Sequence, residues 1–498
     1  MHQVSEMDYK ANILISPSYI YALDLKQWKD RRPYPPYGTL VAASLLRNND
    51  YDIKFIDSHL SSGTKQIKNE IGPVHRGYLV IYDDGFNYLT KMCLTAMRQV
   101  ALDLISHAKK LDYTVILYNS DASDHVQTYL EGGADFIILG EGELTLLELL
   151  EYLVKGKGNL DQIAGIAYAS KNQIMKTNAR PVIQDVDLLP DAAWDLIDLS
   201  PYKKIWYHHH GYFSINLATT RGCPFKCNWC AKPIYGNRYN SRSPERVVKE
   251  IKYLIDHYDI QHIWMADDIF GLNKKWMTGF KNEMIHQQVQ VQYKIQSRAD
   301  LLTQENYVED LYQSGCKEVW IGAESGSQKI LNDMDKGITL AQIKQATELL
   351  KSKSIQVGYF LQFGYLNETM EDIKATIDML LHNMPDDLGI SISYPLPGTA
   401  FFDKVKERIG DKQNWKDSDD LDILYHGNYS RTFYKRLHRF VHKLFRQKQG
   451  ILNLAKIFQG HTKLNKPILK SIVYILYYLP ATWIEKIRLR KLNPSFQV

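Results

Sequence analysis

Three cysteines, Cys223, Cys227 and Cys230, lie in the run TTRGCPFKCNWCAKPIYG and are the residues best suited to chemistry. The Cys-x3-Cys-x2-Cys spacing lets one tight loop present three thiolates to a cuboidal iron–sulfur cluster, so the fourth iron keeps an open, reactive position. Structural zinc sites and ferredoxin clusters use four protein ligands instead. Packing in a core is disfavoured by the surrounding polar and turn-forming residues, which are Arg221, Gly222, Pro224, Lys226 and Asn228. The spacing therefore predicts a catalytic [4Fe–4S] cluster.

The flanking residues make this loop resemble the cluster loop of the radical S-adenosylmethionine (SAM) superfamily. Arg-Gly-Cys-Pro, Trp229 and the continuation AKPIYGNRYNSRSPERVVKEI are similar to the branch with an N-terminal cobalamin-binding domain. That branch includes methylases of unactivated carbon and the anaerobic magnesium-protoporphyrin monomethyl ester oxidative cyclase. The resemblance runs from about Pro33 to about Leu424. It implies that the open iron chelates SAM and that reductive cleavage of SAM gives a 5′-deoxyadenosyl radical.

The composition fits a large enzyme of a reducing compartment. A length of 498 residues suggests about two to four domains. Of the five cysteines, only Cys93 and Cys316 lie outside the motif, too few for a disulfide framework or a second cluster. No signal peptide is apparent in MHQVSEMDYKANILISPSY, because no basic start precedes an uninterrupted apolar core. We therefore expect a cytoplasmic protein.

The elements that must position these residues begin with an alternating α/β pattern over residues 1–155. Five parallel strands are predicted at residues 11–15, 53–56, 78–82, 114–118 and 136–139. Helices are predicted at residues 39–48, 92–110 and 124–131. This pattern predicts a complete, doubly wound, Rossmann-like sheet, which binds ligands outside the carboxyl ends of its strands.

The loops at those strand ends read PPYG, YDDGFNYLTKMC, NSDASD and GEGE. Glycines and small hydroxyls there let a planar ligand approach the backbone. Their resemblance to the cobalamin domain of the family implies contacts from Pro36, Tyr37, Gly38, Asp83, Asp84, Asn87, Ser120, Asp121, Gly140, Glu141 and Gly142. Helix capping by the polar members of this set is the competing interpretation.

His59 is a weak candidate for the lower ligand of cobalt. Many cobalamin domains place Asp-x-His-x-x-Gly after the first strand, where this chain has no histidine. Asp57-Ser58-His59 echoes the motif after the second strand, but its glycine is one residue late. We therefore expect a cobalt without a histidine ligand.

Residues 156–212 are predicted to form a connector. It contains a small strand pair around residues 163–167 and then LLPDAAWDLIDLSPY, whose prolines and aspartates break periodicity. His208, His209 and His210 follow one another, so their side chains point in different directions. Three such histidines do not predict a metal site.

A second alternating pattern fills residues 213–410. Strands are predicted at residues 213–218, 262–266, 291–295, 318–321, 356–361 and 389–393. Six strand–helix repeats suit the partial (β/α)6 barrel of the radical SAM family, whose chemistry lies at the carboxyl ends of the strands. The resemblance implies SAM contacts from the residues there and from the cluster loop, namely Trp229, Asp267, Asp268, Ser297, Arg298, Glu324, Ser325, Gln362 and Gly364.

The individual roles in this set are partly open. Asp267, Asp268 or Glu324 could receive the methionine amine, and Glu324 could instead bind the ribose hydroxyls. Arg298 suits the carboxylate because its planar fork binds bidentately. Gln362 and Gly364 would lie by the adenine. Each could also be an ordinary polar residue that ends a strand.

Residues 411–498 are predicted to form a basic, mainly helical C-terminal segment. Within it, residues 431–498 contain fifteen Lys or Arg and one acid, Glu485, which gives +14 against +5 for the whole chain. The apolar stretch 471–484 is too short to span a bilayer. The interleaved basic and apolar residues suit a helix on an anionic membrane face or a basic cap on the barrel. Nucleic acid is the least favoured partner, since no RNA-binding module accompanies the charge.

These observations favour a cobalamin-dependent radical SAM C-methylase with a [4Fe–4S] cluster, SAM and cobalamin as cofactors. The resemblance implies one SAM as methyl donor, a second as radical source, and an external reductant of flavodoxin or ferredoxin type. The alternatives are oxidative cyclisation or hydroxylation of a tetrapyrrole or lipid, since SISYPLPGTAFFDKV and NWKDSDDLDILYHGNY resemble the cyclases, and a non-catalytic sensor. A tRNA methylthiotransferase is disfavoured because the N-terminal domain lacks the cysteines of a second cluster. The expected location is cytoplasmic, with membrane contact through residues 431–498.

Overall fold

The structure is a computed structural model that describes residues 12–73, 77–171, 173–230, 235–459 and 466–497. Residues 1–11, which include the start of the first predicted strand and much of the segment bearing on a signal peptide, lie outside the described residues. Residues 231–234, part of the sequence that follows the third cysteine of the motif, also lie outside them.

The N-terminal sheet has seven strands rather than five. They are β1 Asn12–Ser16, β2 Ile53–Phe55, β3 Gly77–Tyr82, β4 Thr114–Tyr118, β5 Phe136–Ile138, β6 Ile166–Ser170 and β7 Gln173–Lys176. Their order is β2-β1-β3-β4-β5-β6-β7, and the first five are parallel. The strand pair predicted around residues 163–167 is β6 and β7, which add antiparallel to β5. The Rossmann-like prediction is confirmed, and the pair extends this sheet instead of standing in a separate connector.

Helices cover both faces of this sheet. They are α1 Leu25–Asp30, α2 Tyr37–Arg47, α3 Thr64–Glu70, α4 Tyr88–Lys91, α5 Thr95–Lys110, α6 Ser120–Asp124, α7 Val126–Glu131, α8 Glu143–Lys155 and α9 Ser200–His210. Every residue of α2 from Tyr37 to Leu46 is buried, because α2 packs between the sheet and the rest of the molecule. His208, His209 and His210 form the last turn of α9.

A second, parallel sheet of six strands forms the half-barrel. The strands of this half of the chain are β8 Ser214–Leu217, β9 Thr220–Arg221, β10 Asn240–Ser241, β11 His262–Met265, β12 Gln292–Ser297, β13 Cys316–Glu324, β14 Gln356–Phe363 and β15 Asp387–Ile392. The half-barrel order is β15-β14-β13-β12-β11-β8, whereas β9 and β10 form a separate antiparallel pair. The six predicted barrel strands are confirmed.

The helices of the half-barrel alternate with its strands. They are α10 Pro244–Tyr258, α11 Lys274–His286, α12 Glu305–Gln313, α13 Gln328–Asp333, α14 Leu340–Ser352, α15 Met370–Asn383 and α16 Ala400–Val405. One continuous apolar core joins residues of both halves, among them Tyr37, Phe86 and Trp194 with the inner barrel residues. The carboxyl edge of the first sheet therefore packs directly against the barrel.

Two long helices, α17 Arg431–Phe458 and α18 Lys466–Leu492, form a hairpin at the C-terminal end. The helix α17 lies against α15 and β15, so it covers the outer edge of the half-barrel. Across the described parts of the chain, each helix is too short or too polar to cross a membrane.

Candidate active site

The cluster loop leaves β9 through a turn that only glycine allows. Gly222 has φ +79°, and a Cβ on it would lie 2.2 Å from the carbonyl oxygen of Arg238. All five cysteines are described and each is a free thiol, with Cys223 and Cys227 half-buried and Cys230 exposed. The loop thus offers three unpaired thiols from one short segment.

The donor set fits a cluster better than a single ion. Among the described residues, no three His, Cys, Asp or Glu side chains are grouped so that they could hold one metal ion. A cubane cluster binds each thiolate to a different iron, whereas structural zinc gathers four ligands round one atom. The loop therefore matches the cluster that its spacing predicts.

Asn228 pins the middle of the loop to the barrel. Its Nδ2 donates to Asp335 Oδ2 at 2.8 Å and to the Asp333 carbonyl at 2.8 Å. The Tyr365 hydroxyl donates to Asn228 Oδ1 at 2.7 Å, and the Phe401 amide donates to its carbonyl. Sequence reasoning noted Asn228 only as a polar neighbour of the cysteines and missed this positioning role.

Asp267, which follows β11, fixes the segment that enters the loop. Its carboxylate accepts from the amides of Thr219 and Thr220 at 2.8 and 2.6 Å, and from their hydroxyls at 2.9 and 2.7 Å. Burial raises the pKa of Asp267 to about 6, and these hydrogen bonds oppose the shift. Four donors already occupy this carboxylate, and which of Asp267, Asp268 and Glu324 receives a methionine amine stays open.

Asp268 links the cluster loop region to the N-terminal half. Lys91 Nζ donates to Asp268 Oδ1 at 2.9 Å. Burial lowers the pKa of Lys91, but the neighbouring Asp268 carboxylate outweighs it and the net shift is upward. Lys91, at the end of the segment 83–91, therefore contacts the strand ends of the barrel. The sequence did not predict this contact.

Glu324 ends β13 in the left-handed region, with φ +55°. Its Oε1 accepts from Lys336 Nζ at 2.7 Å, and both side chains are buried. The same ammonium lies 5.7 Å from the ring centroid of Trp229, within cation–π range. Sequence reasoning missed Lys336, whose one signal was a lysine inside the short turn Asp335-Lys336-Gly337.

Three predicted SAM contacts carry buried polar atoms that nothing in the described structure satisfies. Trp229 Nε1, Ser297 Oγ and Gln362 Oε1 have no hydrogen-bond partner among the described residues. Leaving such an atom unpaired costs about 1–3 kcal/mol. The amide nitrogen of Gln362 is held by Ser393 Oγ at 2.9 Å, so its oxygen has a fixed direction. The strand ends therefore fit a polar ligand such as SAM.

Other predicted contacts already have protein partners. Arg298 lies 3.6 Å over the ring of Phe225 and donates from Nε to Asp300 Oδ1 at 3.0 Å. Ser325 Oγ lies 3.0 Å from Thr376 Oγ1 in the turn after β13. These two side chains shape the strand ends, and their contact with SAM stays a prediction.

Gly364 turns the chain after β14 with φ +81°. Its amide donates at 2.8 Å to Glu368 Oε2, and Glu368 is fully buried. Burial raises the pKa of Glu368 to about 8, so this carboxyl is protonated at neutral pH. The sequence pattern did not identify Glu368.

The predicted cobalamin contacts do gather at the carboxyl edge of the first sheet, but most are already bonded. Asp83 accepts from the Ser18 amide at 2.5 Å, and Asp121 accepts from Arg98 at 2.6 Å. Asn87 caps α4 through the Leu89 amide. Asn119 rather than Ser120 caps α6, since its side chain accepts from the Ala122 amide. Pro36, Tyr37 and Gly38 begin α2, and Asp84 Oδ1 accepts from the Phe86 amide at 3.0 Å.

Aromatic rings fill the space between this edge and the barrel. Tyr82 stacks on Tyr118 with centroids 4.2 Å apart, and Phe86 stacks on Tyr235 at 5.0 Å. A Cβ on Gly142 would meet the Tyr82 hydroxyl at 2.7 Å. The hydroxyls of Tyr82 and Tyr118 are buried without a partner among the described residues. We call these four rings the aromatic layer.

Two small pockets open at this edge. One is bordered by Asp83, Arg98 and Asp121, and the other by Tyr37, Phe86 and Arg221. The polar groups at the edge suit a large polar cofactor. The rings of the aromatic layer occupy the space between this edge and the barrel.

A buried ion network ties the edge to the cluster loop. Arg221 donates to Glu141 Oε1 at 2.5 Å and to Glu143 Oε1 at 2.7 Å, and all three side chains are buried. The guanidinium carbon also lies 4.9 Å from the Tyr235 ring. Burial alone would lower the pKa of Arg221, but the two carboxylates raise it overall. The segment 140–142 is therefore linked to the cluster loop through the ion pair of Glu141 with Arg221, two residues before Cys223.

His59 is buried among aromatic rings at the end of β2. Its Nδ1 lies 2.8 Å from the Tyr34 carbonyl, and its ring packs edge-on against Tyr19 and Tyr21. Burial lowers its pKa, so the ring is neutral. The Nε2 of His59 is buried without a hydrogen-bond partner among the described residues. A cobalt without a histidine ligand therefore stays a prediction.

A parallel half-barrel whose strand ends surround a three-cysteine loop defines an iron–sulfur enzyme that cleaves SAM. The sequence model of the radical SAM superfamily matches residues 217–380. Over 347 residues the chain is 29% identical to an uncharacterized methyltransferase of Pyrococcus horikoshii, which covers 69% of this chain and 74% of that protein.

Over 280 residues the chain is 31% identical to the anaerobic magnesium-protoporphyrin IX monomethyl ester cyclase of Rubrivivax gelatinosus, covering 55% of this chain and 50% of the cyclase. The chain thus spans about half the length of the cyclases it matches. The solved structure of OxsB, a cobalamin-dependent S-adenosylmethionine radical enzyme with aqua-cobalamin bound, shares the fold. Its TM-score is 0.71 at 18% identity, over 98% of this chain and 74% of OxsB.

Residues 217–380, which hold the cluster loop and most of the half-barrel, belong to the radical SAM superfamily, and the chain as a whole shares its fold with OxsB. It is therefore a radical SAM enzyme, and a [4Fe–4S] cluster and SAM follow from that membership.

Proposed function

We propose that this enzyme methylates an unactivated carbon and uses cobalamin as the methyl carrier. The observation that carries the proposal is the contact between the first sheet and the cluster loop. Through Arg221, Glu141 and Glu143, the edge that would hold cobalamin adjoins the loop that would hold the cluster. The methyltransferase relative that covers 69% of the chain supports the same reaction class.

In this proposal the side chains act by holding and orienting. Asn228 and Asp267 fix the cluster loop, and the unpaired atoms of Trp229, Ser297 and Gln362 receive SAM. When bound, the cofactors supply the radical that removes a substrate hydrogen and the methyl group that replaces it. An external one-electron reductant of flavodoxin or ferredoxin type delivers the electron.

The test follows the methyl group into an unknown substrate. Anaerobically reconstituted enzyme is incubated with SAM labelled as CD3, cobalamin, a reductant and a metabolite extract, and small molecules are compared by mass spectrometry. We expect 5′-deoxyadenosine and a metabolite that carries the CD3 label, both lost in Cys227→Ala. Formation of 5′-deoxyadenosine without any labelled metabolite would contradict methyl transfer.

Oxidative cyclisation or hydroxylation of a tetrapyrrole or lipid is the second candidate. It is favoured by the 31% identity to the magnesium-protoporphyrin cyclase over 280 residues. The same experiment separates the two reactions, because cyclisation removes hydrogen and hydroxylation adds oxygen, while the CD3 group is released with methionine when SAM is cleaved. If the protein binds the cluster and SAM but does not cleave SAM, a sensor role is favoured instead.

A further inference from the structure

The helix α17 packs against β15 and α15 at the outer edge of the half-barrel. One of its faces is buried, and no side chain there is more than 1% exposed: Leu437, Phe440, Val441 and Phe445. Arg446 donates to Asp387 Oδ1 of β15 at 2.7 Å. The packing of α17 on the barrel agrees with the basic cap that was one interpretation of residues 431–498.

The helix α18 lies outside α17 and turns an apolar row outward. Leu469, Val473, Leu476, Pro480 and Trp483 are all exposed and follow one another at intervals of three or four residues, which places them on one face of a helix. Leu476 is 78% exposed and Trp483 64%. Tyr477 and Ile484, 60% and 42% exposed, widen the row. Soluble monomers rarely expose contiguous apolar patches of this kind.

The one acid of the hairpin faces the other way. Glu485 is 2% exposed and pairs with Arg436 and Lys443 of α17, both at 3.1 Å. Its charge is thereby neutralised between the two helices. Within the described residues, Lys486, Arg490 and Lys491 near the end of α18 form no ion pair with a carboxylate. The outward face therefore combines aliphatic and aromatic side chains with unbalanced positive charge.

We propose that this face of α18, which we call the apolar row, docks on an anionic lipid surface. The charge of +14 over residues 431–498 complements anionic headgroups. Leu, Val and Trp side chains gain by entering the boundary between headgroups and acyl chains, whereas they gain nothing from the phosphates of a nucleic acid. A helix of 27 residues is about 40 Å long, so it lies along the surface over several turns.

The experiment uses flotation of the full-length enzyme with phosphatidylcholine vesicles that contain or lack phosphatidylglycerol. We expect binding only to the anionic vesicles at low salt, weakened as the Debye length falls from ~10 Å at 0.1 M to ~3 Å at 1 M. The double variant Leu476→Ser with Trp483→Ser should bind roughly tenfold more weakly or worse. Lys486→Glu with Lys491→Glu should weaken binding to anionic vesicles in the same direction.

The matched control is Leu188→Ser, because Leu188 is also 78% exposed but lies far along the chain, before α9. It should bind vesicles like the wild type. Thermal melting and cluster absorbance should be unchanged in each variant, so a folding defect is separable. SAM cleavage in solution should also be unchanged, so failure here is distinct from failure of the proposed methyl transfer.

Three results would overturn the proposal. The first is no binding of the wild type to anionic vesicles at low salt. The second is a concentration-dependent dimer, seen by sedimentation, that the Leu476→Ser and Trp483→Ser changes dissolve, since the apolar row would then pack on a second copy. The third is equal vesicle binding by the wild type and the double variant, together with tight binding of the wild type to RNA. The apolar row would then add nothing to lipid binding, and charge alone would account for it.

Discussion

At the scale of residues, the positions of the three thiols that would bind iron depend on neighbouring side chains that are not iron ligands. Asn228 and Asp267 each satisfy several partners across the cluster loop, and Lys336 neutralises Glu324 beneath Trp229. A change at a thiol should therefore remove the cluster itself, whereas a change at a positioning residue should loosen the loop.

Replacing any one of Cys223, Cys227 and Cys230 with Ala should abolish SAM cleavage while the chain still folds. The cluster then lacks one of its three protein ligands. Iron analysis after anaerobic reconstitution should give about four irons per wild-type chain. Cys316→Ala, which changes a buried thiol outside the loop, should retain both iron and cleavage. A clear content of eight irons would contradict a single cluster.

Glu368→Gln should change how stability depends on pH. The pKa of Glu368 is raised by burial to about 8, above the ~4.3 of an unfolded chain. Between these values the folded state binds a proton that the unfolded state lacks, so the stabilisation present at low pH is lost as pH rises towards 8. The wild type should lose up to about 1.4 kcal/mol per pH unit relative to Glu368→Gln.

Urea unfolding midpoints at a series of pH values measure this difference. Gln keeps an acceptor for the Gly364 amide but does not titrate. Glu371→Gln, at an exposed position in the first turn of the helix α15 that follows Glu368, is the matched control and should track the wild type. Parallel pH profiles for the wild type and Glu368→Gln would show that Glu368 is ionised in the folded protein.

At the scale of elements, the sequence predicted what is encoded locally. The buried strands β4 and β14 are runs of apolar residues bounded by turns, and the three cysteines lie in one short segment, so both were visible. The sequence did not predict that β6 and β7 join the first sheet, because the helix α8 separates them in sequence from β5, the strand with which β6 pairs. Lys336 and Arg221 were missed for the same reason, since their partners are distant in sequence or in another element.

Arg221→Met should detach the first sheet from the cluster loop. It leaves Glu141 and Glu143 buried without a cation, a loss of about 3–5 kcal/mol for a broken buried pair. Hydrogen exchange should rise at Gly140, Glu141 and the start of α8. Arg47→Met removes an exposed pair with Asp195 and should cost no more than about 1 kcal/mol. Unchanged exchange in Arg221→Met would show that packing alone holds the interface.

At the scale of the whole molecule, helix α2 and the loops at the carboxyl end of the first sheet share one apolar core with the half-barrel, whereas the strands of that sheet pack in cores of their own. A cofactor bound at the first edge would therefore lie beside the strand ends of the barrel. The sequence could indicate each half by its pattern, whereas the aromatic layer between them arises from four rings contributed by separate segments.

Cobalamin bound to this chain should carry no histidine nitrogen on cobalt. The loop after β1 contains no histidine, and His59 follows the second strand, β2, instead. Electron paramagnetic resonance of bound cob(II)alamin should therefore lack nitrogen superhyperfine splitting from the protein. Splitting that disappears in His59→Ala, or in His125→Ala beside Asp121, would contradict this expectation.

The aromatic layer also sets an order of assembly. Tyr82, Tyr118, Phe86 and Tyr235 are each at most 6% exposed, and they occupy the space between the first sheet and the barrel. If cobalamin binds there, it must displace these rings, so we expect the folded protein to load slowly and a nascent chain whose halves have not yet docked to load faster. Cells that import cobalamin during synthesis should yield filled enzyme, whereas adding it to purified protein should fill the site slowly and only as fast as the halves part.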